Sequence, residues 1–307
     1  MNVATALGYG SDQRLLIINA DDYGLSKSVN SGIQQLLEEQ AVSSATLMVP
    51  CRAFKEAAQW SASHPEYDVG IHFTFTSEWD SYRWGPVNKS ASTASLVTPD
   101  GSFPKDSKTF ELQADPEQVR EELVAQIETA LSYGMKPTHA DNHMGSLYGL
   151  ATGRHFLPLV FEVCAKYGLP FRMPRSLSLT EGEVAPPELA EQARQLGLLA
   201  DSMGVVVLDY LAGLPFQLQS GETYETLRTD MQQLLHNLRP GVTELIIHPS
   251  LVTDELLAFH GQPEKRGMEF QLFRDKAIQR TIADQEIRVI HWRDLQQLQR
   301  KQSGWKG

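Results

Sequence analysis

The strongest constraint on the fold is the regular alternation of short apolar, β-branched runs with helical patterns along the chain. Residues 15–20 (LLIINA), 41–49 and 68–76 (DVGIHFTFT) read as buried strands. Between them, residues 29–40 and 54–61 carry a helical period, with Ser28 expected to cap the first of these helices. Residues 116–131 form a strong helix pattern. Pro116 follows Asp115 at its start, and apolar residues recur at Val119, Leu123, Ile127 and Leu131. The alternation continues with strand-like runs at 137–143, 169–173, 205–208, 243–248 and 286–291. Helical patterns at 156–167, 187–198, 224–237 and 270–283 separate them, the first stopped by Gly168. About eight strands alternating with helices call for a parallel sheet, closed or nearly closed into a barrel. An open doubly wound sheet is the alternative. No repeat, low-complexity tract or Pro/Gly linker divides the chain, so a single domain over residues 1–307 is expected. Residues 77–110 interrupt the pattern. They hold Trp79, Tyr82, Trp84 and many Ser and Thr, the composition of a long functional loop with packed aromatics.

Charge and cysteine usage narrow the function classes. Lys and Arg number 27 against 38 Asp and Glu, a net charge of −11. Such a balance offers no footprint for nucleic acid or an anionic membrane. Cys51 and Cys164 belong to no CxxC pair and read as buried thiols in a reducing compartment. The first residues show no signal-peptide pattern and no apolar run reaches transmembrane length, so the cytoplasm is the expected location.

Chemistry gathers where the strands stop, which in a parallel barrel is the active-site face. The first strand ends in Asn19-Ala20-Asp21-Asp22-Tyr23-Gly24, the third carries His72, the fourth run holds His139, Asp141 and His143, and a later strand ends in His248-Pro249. Adjacent carboxylates on an extended chain point to opposite faces. Asp21 and Asp22 can therefore serve one site only if the strand ends or turns there, which Gly24 suits; one can then bind metal while the other acts as a base. The bland alternative is that the pair caps the next helix. His72 alone would read as a core histidine, but convergence with three other strand ends favours a ligand. On an extended chain His139, Asp141 and His143 share a face, which suits one ligand with hydrogen-bonding partners behind it. His248 could equally be structural. His64, His155, His236, His260 and His291 are left without a role.

The ordered set LIINADDYGLSKSVNSGI, VSSATLMVP, VGIHFTFT, KPTHADNH and ELIIHPS resembles the YdjC-like carbohydrate deacetylases, a family that includes chitooligosaccharide deacetylases and is related to the NodB-type polysaccharide deacetylases. The resemblance implies an α/β fold, a distorted (β/α) barrel of about seven to eight strands, that removes acetyl groups from N-acetylated sugars or oligosaccharides. It implies a divalent metal, magnesium or zinc, held by Asp22, His72 and His143. It places the catalytic base on Asp21, and an acid or transition-state donor on His248. One carboxylate and two imidazoles suit zinc or another transition metal on ligand grounds. The chain departs from the family pattern at His143-Met144-Gly145-Ser146 and Thr76-Ser77-Glu78-Trp79, so the mouth of the pocket is expected to differ. His139, Asp141 and Arg172 are candidates for supporting the site, with Arg175 beside them; surface ion pairs are the alternative for the arginines. Trp79 and Trp84 are candidates for stacking on sugar, with a packed lid as the alternative. No nucleic-acid or membrane partner is expected, and a homodimer is left open. Two other functions compete: another metal-dependent barrel hydrolase or isomerase acting on a sugar or sugar phosphate, and a catalytically silent sugar-binding protein.

Overall fold

A computed structural model describes residues 3–89, 92–178 and 185–305. In chain order its elements are α1 (Val3–Ala6), β1 (Arg14–Tyr23), α2 (Lys27–Glu38), β2 (Ser44–Leu47), α3 (Phe54–Ser63) and β3 (Asp68–Phe73). After the long loop come α4 (Ser107–Gln113), α5 (Pro116–Ser132), β4 (Ala140–Asn142), α6 (Leu157–Tyr167), β5 (Phe171–Pro174) and α7 (Pro187–Ser202). The last third holds β6 (Val207–Leu208), β7 (Tyr210–Gly213), α8 (Tyr224–His236), β8 (Gly241–Ile247), α9 (Asp254–Leu257), α10 (Pro263–Leu272), α11 (Lys276–Asp284), β9 (Arg288–Val289) and α12 (Trp292–Ser303).

All strand pairings are parallel, in the order β6-β5-β4-β3-β2-β1-β8-β7, with β9 on the first part of β1. The sheet is nearly closed by one short segment. Its first half, β6, pairs with β5, and its second half, β7, pairs with β8. Asp209, between the halves, donates its N–H to Val242 O (3.1 Å) and accepts from Val242 N through Oδ2 (2.9 Å). The result is the expected (β/α) barrel, in which one interrupted strand supplies two edges. β7 and α12 lie outside the sequence expectation. The predicted helix over 270–283 is two helices, because Asp275 caps a new one at Ala277. Ser26, not Ser28, caps α2, accepting from Val29 N; the Ser28 hydroxyl binds Glu255.

Strand alternation sorts the side chains. On β1, Leu16, Ile18 and Ala20 pack outward against the helices, in one core with Val29, Ile33 and Leu36 of α2. Leu15 and Ile17 face inward, in a second cluster with Val206, Leu208, Val242, Trp292 and Leu295. That cluster fills the lower barrel, with Val3 and Ala4 of α1 against it. The same parity carries Asn19 and Asp21 inward above it. Gly70 is fixed by a close approach: a Cβ there would fall 2.7 Å from the His139 ring. Both cysteines are buried and unpaired. Among the described residues no helix is long and apolar enough to cross a membrane.

Candidate metal centre and active site

The β1 terminus shows how two neighbouring aspartates reach one mouth. Asp21 follows the inward parity of the strand. Asp22 would point outward, but it adopts φ 67°, and the β1–β2 register is broken between Ala20 and Tyr23. Asp tolerates this left-handed region better than most residues. The turn brings Asp22 Oδ1 to 3.4 Å from His72 Nε2 and 3.3 Å from His143 Nδ1. This oxygen is buried and has no hydrogen-bond partner. Ligand atoms of Asp22, His72 and His143 all lie within 4.8 Å of one another. An orphaned carboxylate oxygen facing two imidazole nitrogens is a fitting cradle for a cation, and these donors match a three-ligand open site.

The electrostatics agree. Four buried carboxylates, Asp21, Asp22, Asp141 and Glu244, face two buried guanidiniums, Arg172 and Arg266. Burial alone would lower the His72 imidazole, yet Asp141 and Asp21 push it up to about 10. Burial likewise opposes protonation of His143, and Glu78 with Asp22 raises it to about 9. A field that holds protons this firmly also attracts a divalent ion. Burial would raise Asp22, but Arg266 and the two imidazoles hold it well below the usual carboxylate range.

Each imidazole is backed by a carboxylate on its far nitrogen. Asp141 Oδ1 lies 2.5 Å from His72 Nδ1, and Glu78 Oε2 lies 3.2 Å from His143 Nε2. Such partners fix ring orientation and tautomer. The geometry leaves Nε2 of His72 and Nδ1 of His143 for an ion. Arg266 of α10 donates to Asp22 Oδ2, which leaves Oδ1 free.

Arg172 organises the layer below. This buried side chain gives Nη1 to Asp21 Oδ2 (2.7 Å), Nη2 to Asp21 Oδ1 (2.6 Å) and Nε to Glu244 Oε2 (2.9 Å); Nη2 also lies 2.7 Å from Asp141 Oδ2. Asp21, His72 and Asp141 form a second group with metal-like spacing, but the Arg172 guanidinium already supplies its cation. Asn19 and Thr46 complete the network, donating to Asp21 Oδ1 (2.8 Å) and Asp141 Oδ2 (2.8 Å). Burial would raise Asp21, but Arg172 and His72 hold it well below the usual carboxylate range. Glu244 goes the other way, raised by burial to about 7 against the pull of Arg172. Arg172→Ala strands three buried carboxylates beside one another. A loss of about 3–5 kcal/mol in denaturant unfolding is expected, the usual cost of removing one partner from a buried ion pair.

The remaining sequence candidates separate clearly. His139, Asp141 and His143 share the inward face at successive depths. His139 lies deepest, stacked on Trp292 (centroids 4.7 Å apart, 6° between planes), and reaches the site only through Asn19 Oδ1 (3.2 Å). His248 continues the inward parity of β8 after Val242 and Glu244, and its Nε2 lies 3.9 Å from Asp21 Oδ2. Burial lowers it to about 4. Arg175 is apart from the site, paired with Asp201 (2.6 Å). Trp79 lines a cavity of about 470 Å³ with Asp21, Asp22, His72, Glu78, His143, Phe216, His248 and His260. Trp84 does not line it. Trp84 is buried against Trp79, donates Nε1–H to Thr76 O (2.7 Å), and belongs to the packed lid.

Sequence reasoning missed Glu78, Glu244, Arg266 and His260. A charged residue in the apolar run TELII was a usable signal for Glu244. Glu78 lies in the stretch 76–79 expected to shape the mouth but is given no role there, and Arg266 has no signal, since it meets Asp22 across 244 positions.

The family model described as YdjC-like protein matches residues 15–284. A carbohydrate deacetylase of Brevibacillus brevis is 27% identical over 280 residues, covering 91% of this chain and 99% of that protein. One of Geobacillus stearothermophilus is 36% identical over 163 residues, 53% of this chain and 61% of that protein. One of Listeria welshimeri is 28% identical over 283 residues, with 91% and 99% covered. Among solved structures, an Enterococcus faecalis protein named for cellobiose-phosphate cleavage superposes with a TM-score of 0.72 at 24% identity, covering 92% of this chain and 99% of that one; this likeness speaks for the fold.

Proposed function

The chain belongs to the YdjC-like protein family, and from that premise we propose that it is a metal-dependent carbohydrate deacetylase, hydrolysing the acetamide of an N-acetylated sugar or oligosaccharide. The observation that carries the chemical reading is the unpartnered Asp22 Oδ1 facing His72 and His143 beside a second, Arg-held carboxylate. In this proposal Asp22, His72 and His143 hold the ion, with magnesium or zinc as candidates. A divalent ion there supplies a Lewis acid that polarises an amide carbonyl and acidifies water.

The protein's own groups would do the rest. Asp21 Oδ2 faces the cavity and takes the proton of the attacking water. Arg172 keeps Asp21 ionised and fixes its plane, so it is ready to accept without first losing a proton. His248 rests neutral. Its ring, 3.9 Å from Asp21, is placed to receive that proton and pass it to the departing amine. Phe216 packs edge-on to His248, with ring centroids 4.8 Å apart, and holds the imidazole in place. The two buried free thiols suit a reducing cytoplasm, which the proposal takes as the location.

A screen of N-acetylated mono- and oligosaccharides for acetate release, run with different divalent ions, tests the proposal. Acetate from none of them would overturn it. The aromatic loop gives a second check. Trp79→Ala is expected to raise KM for oligosaccharides more than for monosaccharides, because it lines the cavity. Trp84→Ala is expected to lower the melting temperature and affect both substrates alike.

A further inference from the structure

Among the described residues, two that line the cavity carry a buried side-chain atom with no hydrogen-bond partner: Asp22 Oδ1 and His260 Nε2. The first faces the two imidazoles described above. The second has no ligand role assigned to it. His260 is 6% exposed and sits between α9 and α10. Its Nδ1 accepts the backbone N–H of Gln262 at 2.9 Å. An imidazole nitrogen that accepts carries no proton, so the ring's proton lies on Nε2. Trp79 (centroids 4.8 Å apart) and Phe259 (5.9 Å) hold the ring in place. Native structures rarely leave a buried donor unsatisfied, and such a group calls for a partner.

We infer that His260 is a specificity-determining residue, whose Nε2–H donates to an uncharged oxygen of the sugar, a hydroxyl or ring oxygen, while Trp79 beside it covers an apolar ring face. The inference rests on the deacetylase reading and names the substrate feature that reading lacks. A neutral N–H can donate to any oxygen, and the hydroxyl and ring oxygens of an N-acetylated sugar are uncharged acceptors. Burial, with the nearby Arg266 charge, lowers the imidazole to about 3, so it does not become a cation at ordinary pH. Aromatic faces with a neutral donor between them suit a pyranose, whose C–H faces are apolar and whose edges are oxygens.

Three substitutions separate this role from a structural one. His260→Asn keeps an acceptor for the Gln262 N–H but loses the outer donor. His260→Gln keeps a donor near the Nε2 position but loses the inner acceptor. His260→Phe keeps a ring and loses both. Each is assayed with metal, using N-acetylglucosamine and its β-1,4-linked trimer. The expected result is a KM raised about three- to tenfold in Asn and Phe, the worth of one neutral hydrogen bond. KM in Gln should stay within about twofold of wild type, with kcat, metal content and melting temperature of Asn unchanged. The reverse order, with Asn normal and Gln impaired, would overturn the inference, because it assigns His260 to holding the loop through Nδ1. Equal KM in all four proteins would overturn it as well. If the wild type releases no acetate from any sugar, the deacetylase reading fails by itself. Calorimetric binding of the trimer to wild type and His260→Asn then still decides the role of His260: equal affinity, or no binding to either, sinks it.

Discussion

Asp21→Asn is expected to lower kcat by about 10²–10⁴-fold, the usual worth of a general base, while metal content and sugar affinity stay near wild type. The substitution keeps size and leaves one oxygen for Arg172, but it sets an amide N–H against a second N–H donor of the network, so some loss of stability is expected and kcat is compared on folded protein. It removes the catalytic role assigned to Asp21, acceptance of the water's proton. In the wild type the acidic limb of kcat/KM reports the coupled base and metal site together, not one residue. That limb should shift or vanish in the variant. A fully active Asp21→Asn protein would dispose of the mechanism. Loss of metal in Asp21→Asn with retention in Asp22→Asn would reverse the two roles.

The second large effect concerns the ion. Asp22→Ala, His72→Ala and His143→Ala each remove one of three converging donors. Each is expected to lose the metal on dialysis, read by elemental analysis, and to fall to background turnover. Full occupancy in His72→Ala would refute the ligand set. Glu78→Ala provides a graded control, because Glu78 touches His143 only on its far nitrogen. A weakening of about 10–100-fold in metal affinity is expected there. A drop as deep as that of His143→Ala would make Glu78 a ligand in its own right.

The lengths of the missed elements explain where pattern reading stops. β7 spans only four positions and follows β6, which lies in the expected strand at 205–208, after the single residue Asp209; the two close the sheet by pairing with strands on opposite edges. No local periodicity encodes a segment that serves two neighbours. α12 was legible in principle, since Trp292, Leu295 and Gln299 are buried at helical spacing. Its apolar residues are too few for the pattern to stand out.

The sequence by itself determined the parallel (β/α) architecture, because burial of strands under helices leaves a period in the chain that needs no tertiary information. It also determined which residue types crowd the strand ends, while the choice of Asp22, His72 and His143 among them came from the resemblance to the family. Only the tertiary structure decided how Asp22 turns back to the mouth, since the left-handed φ at a non-glycine residue is set by the packing around it. Only it brought Arg172 from β5 to Asp21, Asp141 and Glu244 of three other strands, and Arg266 from α10 to Asp22 across 244 positions. It also showed that Trp79 and Trp84, five residues apart, part company at the cavity wall. Ion pairs and cavity walls are contacts between distant segments. Their energy depends on which groups meet after folding, and a single chain read in order carries no periodic trace of that.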